Sequence, residues 1–98
     1  MPFTQKQVTT RTGRRMGYRE AGEGYPLIAL HGIGSSSLSF EEQATELASR
    51  FRLIAWDAPG YGGSDDPASD TPNATSYAQA LVELMDSLRI DRAHILGH

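Results

Sequence analysis

Leu27-Ile28-Ala29-Leu30-His31-Gly32-Ile33-Gly34-Ser35-Ser36-Ser37, LIALHGIGSSS, decides the fold. Leu27 to Leu30 are apolar without a break, where a strand lying on a half-exposed sheet would alternate. A continuous run marks a strand buried on both faces, as in a parallel sheet covered by helices. The glycines after His31 then end the strand in a tight irregular turn.

Working outward, SSSLSFEEQATELASRF reads as a helix. Phe40, Ala44, Leu47 and Phe51 recur at helical spacing and form one apolar face. Ser39 with Glu42 three residues later fits a capping box, Glu41 and Glu42 suit the first turn, and Arg50 lies near the far end. FRLIAWD follows, with Leu53 to Trp56 continuously apolar, and is a second buried strand. APGYGGSDDPASDTPNAT has almost no aliphatic content, and a loop of this length usually carries a function. SYAQALVELMDSLRI is a second helix, with Tyr77, Leu81, Leu84, Met85 and Leu88 along one side and a Ser76–Gln79 capping box expected at its start. Asp91 and Arg92 make a short link to AHILGH, a third buried strand. Upstream, QKQVTTRT and RRMGYREAG flank Gly13 and form an antiparallel hairpin, and AGEGYP is a second turn closed by Pro26. The predicted order is β-β-β-α-β-α-β. That is an α/β protein with an antiparallel N-terminal hairpin and parallel strands joined by right-handed crossovers.

Composition excludes several function classes. The 98 residues are 39% hydrophobic and 21% charged, with a net charge of −3. That is a globular balance, too mild in charge to suggest a nucleic-acid partner. With no cysteine there is no disulfide, thiolate metal site or cysteine nucleophile, which is compatible with a cytoplasmic location. The N-terminus MPFTQKQVTTRTGRR lacks an apolar export segment, and no stretch is long enough for a membrane span.

In open α/β sheets, chemistry gathers at the carboxyl edges of the strands. Three such edges are legible: His31-Gly32-Ile33-Gly34, Asp57-Ala58-Pro59-Gly60 and Gly97-His98. At the first, Gly32 and Gly34 would let the backbone present N–H groups to a negative oxygen, and His31 could brace the loop through its ring. An ordinary glycine-rich strand-to-helix turn fits these residues equally well. A dinucleotide fingerprint fails, because its third glycine position holds Ser37. At the second edge Asp57 reads as structural, hydrogen-bonding backbone N–H groups of its loop. His94 and His98 would share a strand face but stand too far apart to form a metal site alone.

The combination is far more specific than its parts. A strand ending in H-G-x-G, a helix, a strand ending in D-x-P-G-x-G-x-S-D, a helix, and a strand ending in L-G-H resembles the α/β-hydrolase superfamily. Here the segments read LIALHGIG, IAWDAPGYGGSD and HILGH, and REAGEGYPL looks like the family's second-strand turn. The resemblance implies that Gly97 and His98 open the nucleophile elbow G-x-S-x-G, with the nucleophile directly after His98. No catalytic triad member would then lie in this chain, and residues 1–98 would be the incomplete N-terminal part of a single hydrolase domain. It also implies an oxyanion site at His31, Gly32, Ile33 and Gly34, with the Ile33 backbone N–H as donor and Ser35, Ser36, Ser37 and Leu38 near the pocket mouth. The implied chemistry is acyl transfer to water on a small ester, lactone or related carbonyl compound, with a small-molecule substrate and neither cofactor nor metal. Epoxide hydrolases and haloalkane dehalogenases of this fold usually carry proline where this chain has Gly34, and they use an aspartate nucleophile. Gly34 therefore favours serine. An aspartate-nucleophile relative and a non-catalytic hydrolase-like binding protein remain the alternatives, separated by the residue after His98.

The third buried strand would be left as an exposed apolar edge in an isolated piece of this kind. The purified 98-residue chain is expected to be poorly soluble or molten, and inert. A sharp cooperative thermal transition of the monomer would overturn the first expectation, and nucleophile-dependent ester turnover the second.

Overall fold

In the computed structural model, residues 3–31, 37–58, 64 and 74–97 are described. The hairpin strands β1 (Thr4–Thr9) and β2 (Arg15–Ala21) lead to β3 (Pro26–Leu30). A single 3₁₀ turn (Ser37–Phe40) then opens α1 (Glu41–Ala48), followed by β4 (Arg52–Trp56), α2 (Ala74–Ser87) and β5 (His94–Gly97). These strands make one sheet in the order β1-β2-β4-β3-β5. β1 and β2 pair antiparallel, β2 and β4 antiparallel, and β3 runs parallel to both β4 and β5. The expected element order and mixed sheet are therefore both present.

The unbroken apolar runs of β3 and β4 are explained by two-sided burial, whereas β5, expected as a third buried strand, lies exposed at the sheet edge, where it has a neighbour on one side only. Leu27, Ala29, Leu53 and Ala55 pack on Phe40 and Ala44 at one face. Ile28, Ile54 and Trp56 pack on Ala80 and Leu84 at the other. The two helices thus cover opposite faces, and alternate residues of one strand serve different layers. Each large side chain buried this way contributes about 1.5–3 kcal/mol relative to exposure.

The helix ends differ from expectation. Neither Ser39 nor Ser76 stands at the cap position of its helix. The chain is already helical at Ser39, so Phe40 occupies the cap position of α1 with no side-chain cap bond. The burial of Phe40, 3% exposed, sets where that helix begins. α2 starts two residues before Ser76. α1 closes before Arg50, leaving no basic residue in its last turn. α2 closes with Arg89 at φ +58°, while Arg89 N–H meets the Asp86 carbonyl (3.1 Å) and Ile90 N–H the Met85 carbonyl (2.8 Å). This is the Schellman pattern, held by buried Ile90 although no glycine is there.

Two turns fix the sheet. Gly13, φ +85°, closes the hairpin with its N–H on the Thr10 carbonyl at 2.9 Å. Gly22, φ +86°, passes under the end of α1, where a Cβ would sit 2.3 Å from the Phe51 carbonyl oxygen. Only glycine fits there.

Glu20 ties three strands together. Its carboxylate accepts from Lys6 of β1 at 2.9 Å and from Arg52 of β4. Burial, the largest single influence, raises its pKa, but the hydrogen bonds and charges of Lys6 and Arg52 together outweigh it. The carboxyl is therefore held below its ordinary value of 4.5. A lowered folded pKa means that this stabilisation is complete above about pH 4.5 and is lost as pH falls through the lower folded value. In a full-length protein carrying these residues, Glu20→Gln should cost about 1 kcal/mol near neutral pH, as expected for a partly screened ion pair. The difference from wild type should vanish in strong acid. Urea unfolding of both proteins at neutral and acid pH checks this, and a difference independent of pH would contradict it.

Candidate functional site

Because β3 and β4 are parallel, their carboxyl ends open on one edge, and β5 ends there too. The β3–β5 register pairs Leu30 with Gly97. Gly97 therefore stands beside the start of the His31 segment. Of the oxyanion-site and elbow residues singled out from sequence, His31 and Gly97 lie within the described structure. Gly32, Ile33, Gly34, Ser35, Ser36 and His98 lie outside the described residues.

His31 is held by the neighbouring strand. Its Nε2 accepts the Ala58 backbone N–H at 3.0 Å. An accepting Nε2 carries no proton, so the ring proton sits on Nδ1 in this geometry. Among the described residues, a bracing partner thus lies in the segment after β4.

Asp57 is 1% exposed. Its Oδ1 accepts the Ser37 backbone N–H at 2.8 Å, and its Oδ2 a longer contact from Gln5 Nε2 at 3.4 Å. A structural role fits Asp57: among the described residues its carboxylate accepts a backbone N–H from the β3–α1 connection.

Ser64 and Gln5 were not signalled by the sequence as parts of this edge. The Asp57 N–H donates to the Gly17 carbonyl at 2.8 Å. In an antiparallel ladder the reciprocal bond would run from Gly17 N–H to the Asp57 carbonyl. The Ser64 hydroxyl is inserted there instead, accepting from Gly17 N–H at 2.8 Å and donating to the Asp57 carbonyl. One hydroxyl thus ends the β2–β4 pairing and splays the two strands at the carboxyl edge. The motif letter S in D-x-P-G-x-G-x-S-D was visible, but its partner Gly17 is distant in sequence and could not be read from it.

His94 starts β5 at the opposite edge, its ring 4.9 Å from that of Tyr25 and 5.8 Å from that of Phe51. It belongs to an aromatic cluster away from the candidate site. Among the described residues no cluster of three or more His, Cys, Asp or Glu side chains is placed to hold a metal. Among those residues, too, no helix is long and apolar enough to cross a membrane.

Comparison with known proteins adds family context. Residues 25–98 match the sequence model of a family described as the α/β hydrolase fold. A soluble epoxide hydrolase of Corynebacterium sp. is 37% identical, over 88% of this chain and 30% of its own length. A 2-hydroxy-6-oxo-6-phenylhexa-2,4-dienoate hydrolase of Comamonas testosteroni is 35% identical, over 83% of this chain and 30% of its own. Among solved structures, one described as a novel epoxide hydrolase of the superfamily from hot-environment metagenomes superposes with a TM-score of 0.88. It is 31% identical, over 100% of this chain and 34% of its own. The chain thus spans about 30% of the length of the curated relatives it matches.

Ser64→Ala removes the hydroxyl that satisfies both Gly17 N–H and the Asp57 carbonyl. In the full-length protein it should cost about 1–3 kcal/mol, the usual penalty for stranding buried backbone groups. Urea midpoints of the two proteins test this, and an unchanged midpoint would show that the ladder simply closes.

Proposed function

The chain belongs to the α/β hydrolase fold family, and from that membership we propose that it is the N-terminal part of a serine hydrolase acting on a small ester, lactone or related carbonyl compound. The observation that carries the reading is the Leu30–Gly97 register, with β3 and β5 side by side. It supports a site in which the segment after His31 and the elbow opened by Gly97 and His98 face one reacting carbonyl.

In this reading the residue after His98 is the serine nucleophile. Its oxygen attacks the carbonyl carbon while a histidine takes the serine proton. The oxygen that gains charge is met by two backbone N–H groups, one following the nucleophile and one from Ile33. The leaving alcohol takes the proton back from the histidine, and water then releases the acid by the same steps in reverse. The nucleophile, histidine and orienting acid are supplied by the rest of the full-length protein. Residues 1–98 supply the Ile33 donor and its surroundings, and alone are inert.

Gly34 supports serine over aspartate, because the aspartate-nucleophile enzymes usually carry proline there. The Corynebacterium epoxide hydrolase at 37% identity favours the second reading, epoxide opening by an aspartate nucleophile. The dienoate hydrolase at 35% favours carbonyl chemistry.

Full-length protein assayed on p-nitrophenyl acetate and on styrene oxide separates the two. Turnover of the ester is expected, falling by about 10⁴-fold or more when the residue after His98 is changed to alanine. Epoxide opening abolished by that change, with no ester turnover, would replace the serine reading with the aspartate one. Ester turnover insensitive to the change would end the nucleophile assignment.

A further inference from the structure

We infer that Asp57 is a positioning residue for the oxyanion-binding segment, acting with His31 as a two-point strut. The inference deepens the serine-hydrolase reading and rests on it. The segment 32–36 is flanked by His31 and Ser37, and both flanks are tied to the same place. His31 Nε2 takes the Ala58 N–H at 3.0 Å, and Ser37 N–H goes to Asp57 Oδ1 at 2.8 Å. Asp57 and Ala58 are consecutive residues at the end of β4. The separation and direction of the two flanks are therefore set by one dipeptide of the central sheet.

That dipeptide is itself locked. The Asp57 N–H is held by the Gly17 carbonyl and its own carbonyl by the Ser64 hydroxyl. Gln5 reaches its second carboxylate oxygen. With Asp57 1% exposed, no bulk water is at hand to replace the Ser37 N–H bond if it breaks. A carboxylate is also a stronger acceptor for a backbone N–H than a neutral oxygen. Such anchoring matters to a reaction because an oxyanion donor works only within hydrogen-bond distance of the developing charge. Misplacement by about 1 Å can cost about 10²-fold in rate. Asp57 touches no substrate in this scheme. It acts through the backbone that Ser37 and His31 bracket.

The test uses the full-length enzyme with Asp57→Ala, Asp57→Asn and Ser37→Pro. kcat and KM for a p-nitrophenyl ester are measured per titrated active site, together with inhibition by an arylboronic acid, which forms a tetrahedral adduct. Asp57→Ala should lower kcat by about 10- to 100-fold, with KM changed much less, and weaken the boronate by a similar factor. Asp57→Asn should recover most of the loss, because its amide oxygen can still accept from Ser37. A purely structural residue would lower the fraction of active enzyme but leave kcat per titrated site and boronate affinity unchanged, and that result overturns the proposal. If Asp57→Ala does not fold, Ser37→Pro decides. It deletes the donor N–H at the first residue of a helical turn, where proline is tolerated. Wild-type kcat in a folded Ser37→Pro enzyme likewise overturns the proposal. Wild-type protein without ester turnover would instead reject the hydrolase reading itself, an outcome distinct from an active wild type matched by an equally active Asp57→Ala.

Discussion

Burial of β3 and β4 on both faces is the constraint from which the rest of the structure follows. Leu27 to Ala29 and Leu53 to Trp56 are all less than a tenth exposed. Such strands need a helix above and a helix below. With parallel β3 and β4 joined through α1, the next crossover must place α2 on the other face. This arrangement brings the carboxyl ends of β3, β4 and β5 together on one side. The candidate site is thus a consequence of where apolar side chains had to go, and its residues sit at the places where those strands run out.

The sheet's two edges show the same logic in contrast. The outer strand β1 carries Thr4, Gln5, Lys6, Gln7 and Thr9 with polar or charged side chains, mostly exposed. That is how a water-facing edge is usually protected from further pairing. β5, at the other edge, has Ile95 half exposed and Leu96 more than a third exposed, with no charged residue between His94 and Gly97. One edge is finished for solvent and the other is not. Glu20 adds to the finish of the first by pinning β1 through Lys6 and β4 through Arg52.

The unbroken apolar runs made the buried strands readable, because periodicity is a local signal, and the helix faces from Phe40 to Phe51 and from Tyr77 to Leu88 were readable for the same reason. The helix ends were not. Ser39 and Ser76 fit capping boxes by spacing, yet tertiary burial of Phe40 and an earlier start at Ala74 decided the boundaries. The turn after α2 carries arginine at the left-handed position, where pattern reading looks for glycine, since the burial of Ile90 compensates the local strain. At the site, His31 and Asp57 were recognisable as residue types in a motif, but their hydrogen bonds cross between segments. The Ser37–Asp57 and Gly17–Ser64 contacts join residues 20 and 47 apart, and separations of that kind leave no local trace.

Similarity alone does not choose the reaction, and the structure indicates why. The frame that links Gly17, His31, Ser37, Asp57 and Ser64 is made largely of hydrogen bonds between side chains and backbone, within the protein itself. Such a frame can serve an epoxide hydrolase and a dienoate hydrolase equally well, and relatives of both names stand at comparable identity, 37% and 35%. In the proposed reading, what differs between the chemistries is the atom delivered after β5 and the shape of the pocket around it. Gly34 is one position in this chain where the two groups of enzymes are expected to part, because proline there would remove a backbone N–H and fix the local φ. In the proposed reading the frame stays common, while the choice of nucleophile is made at the residue after His98.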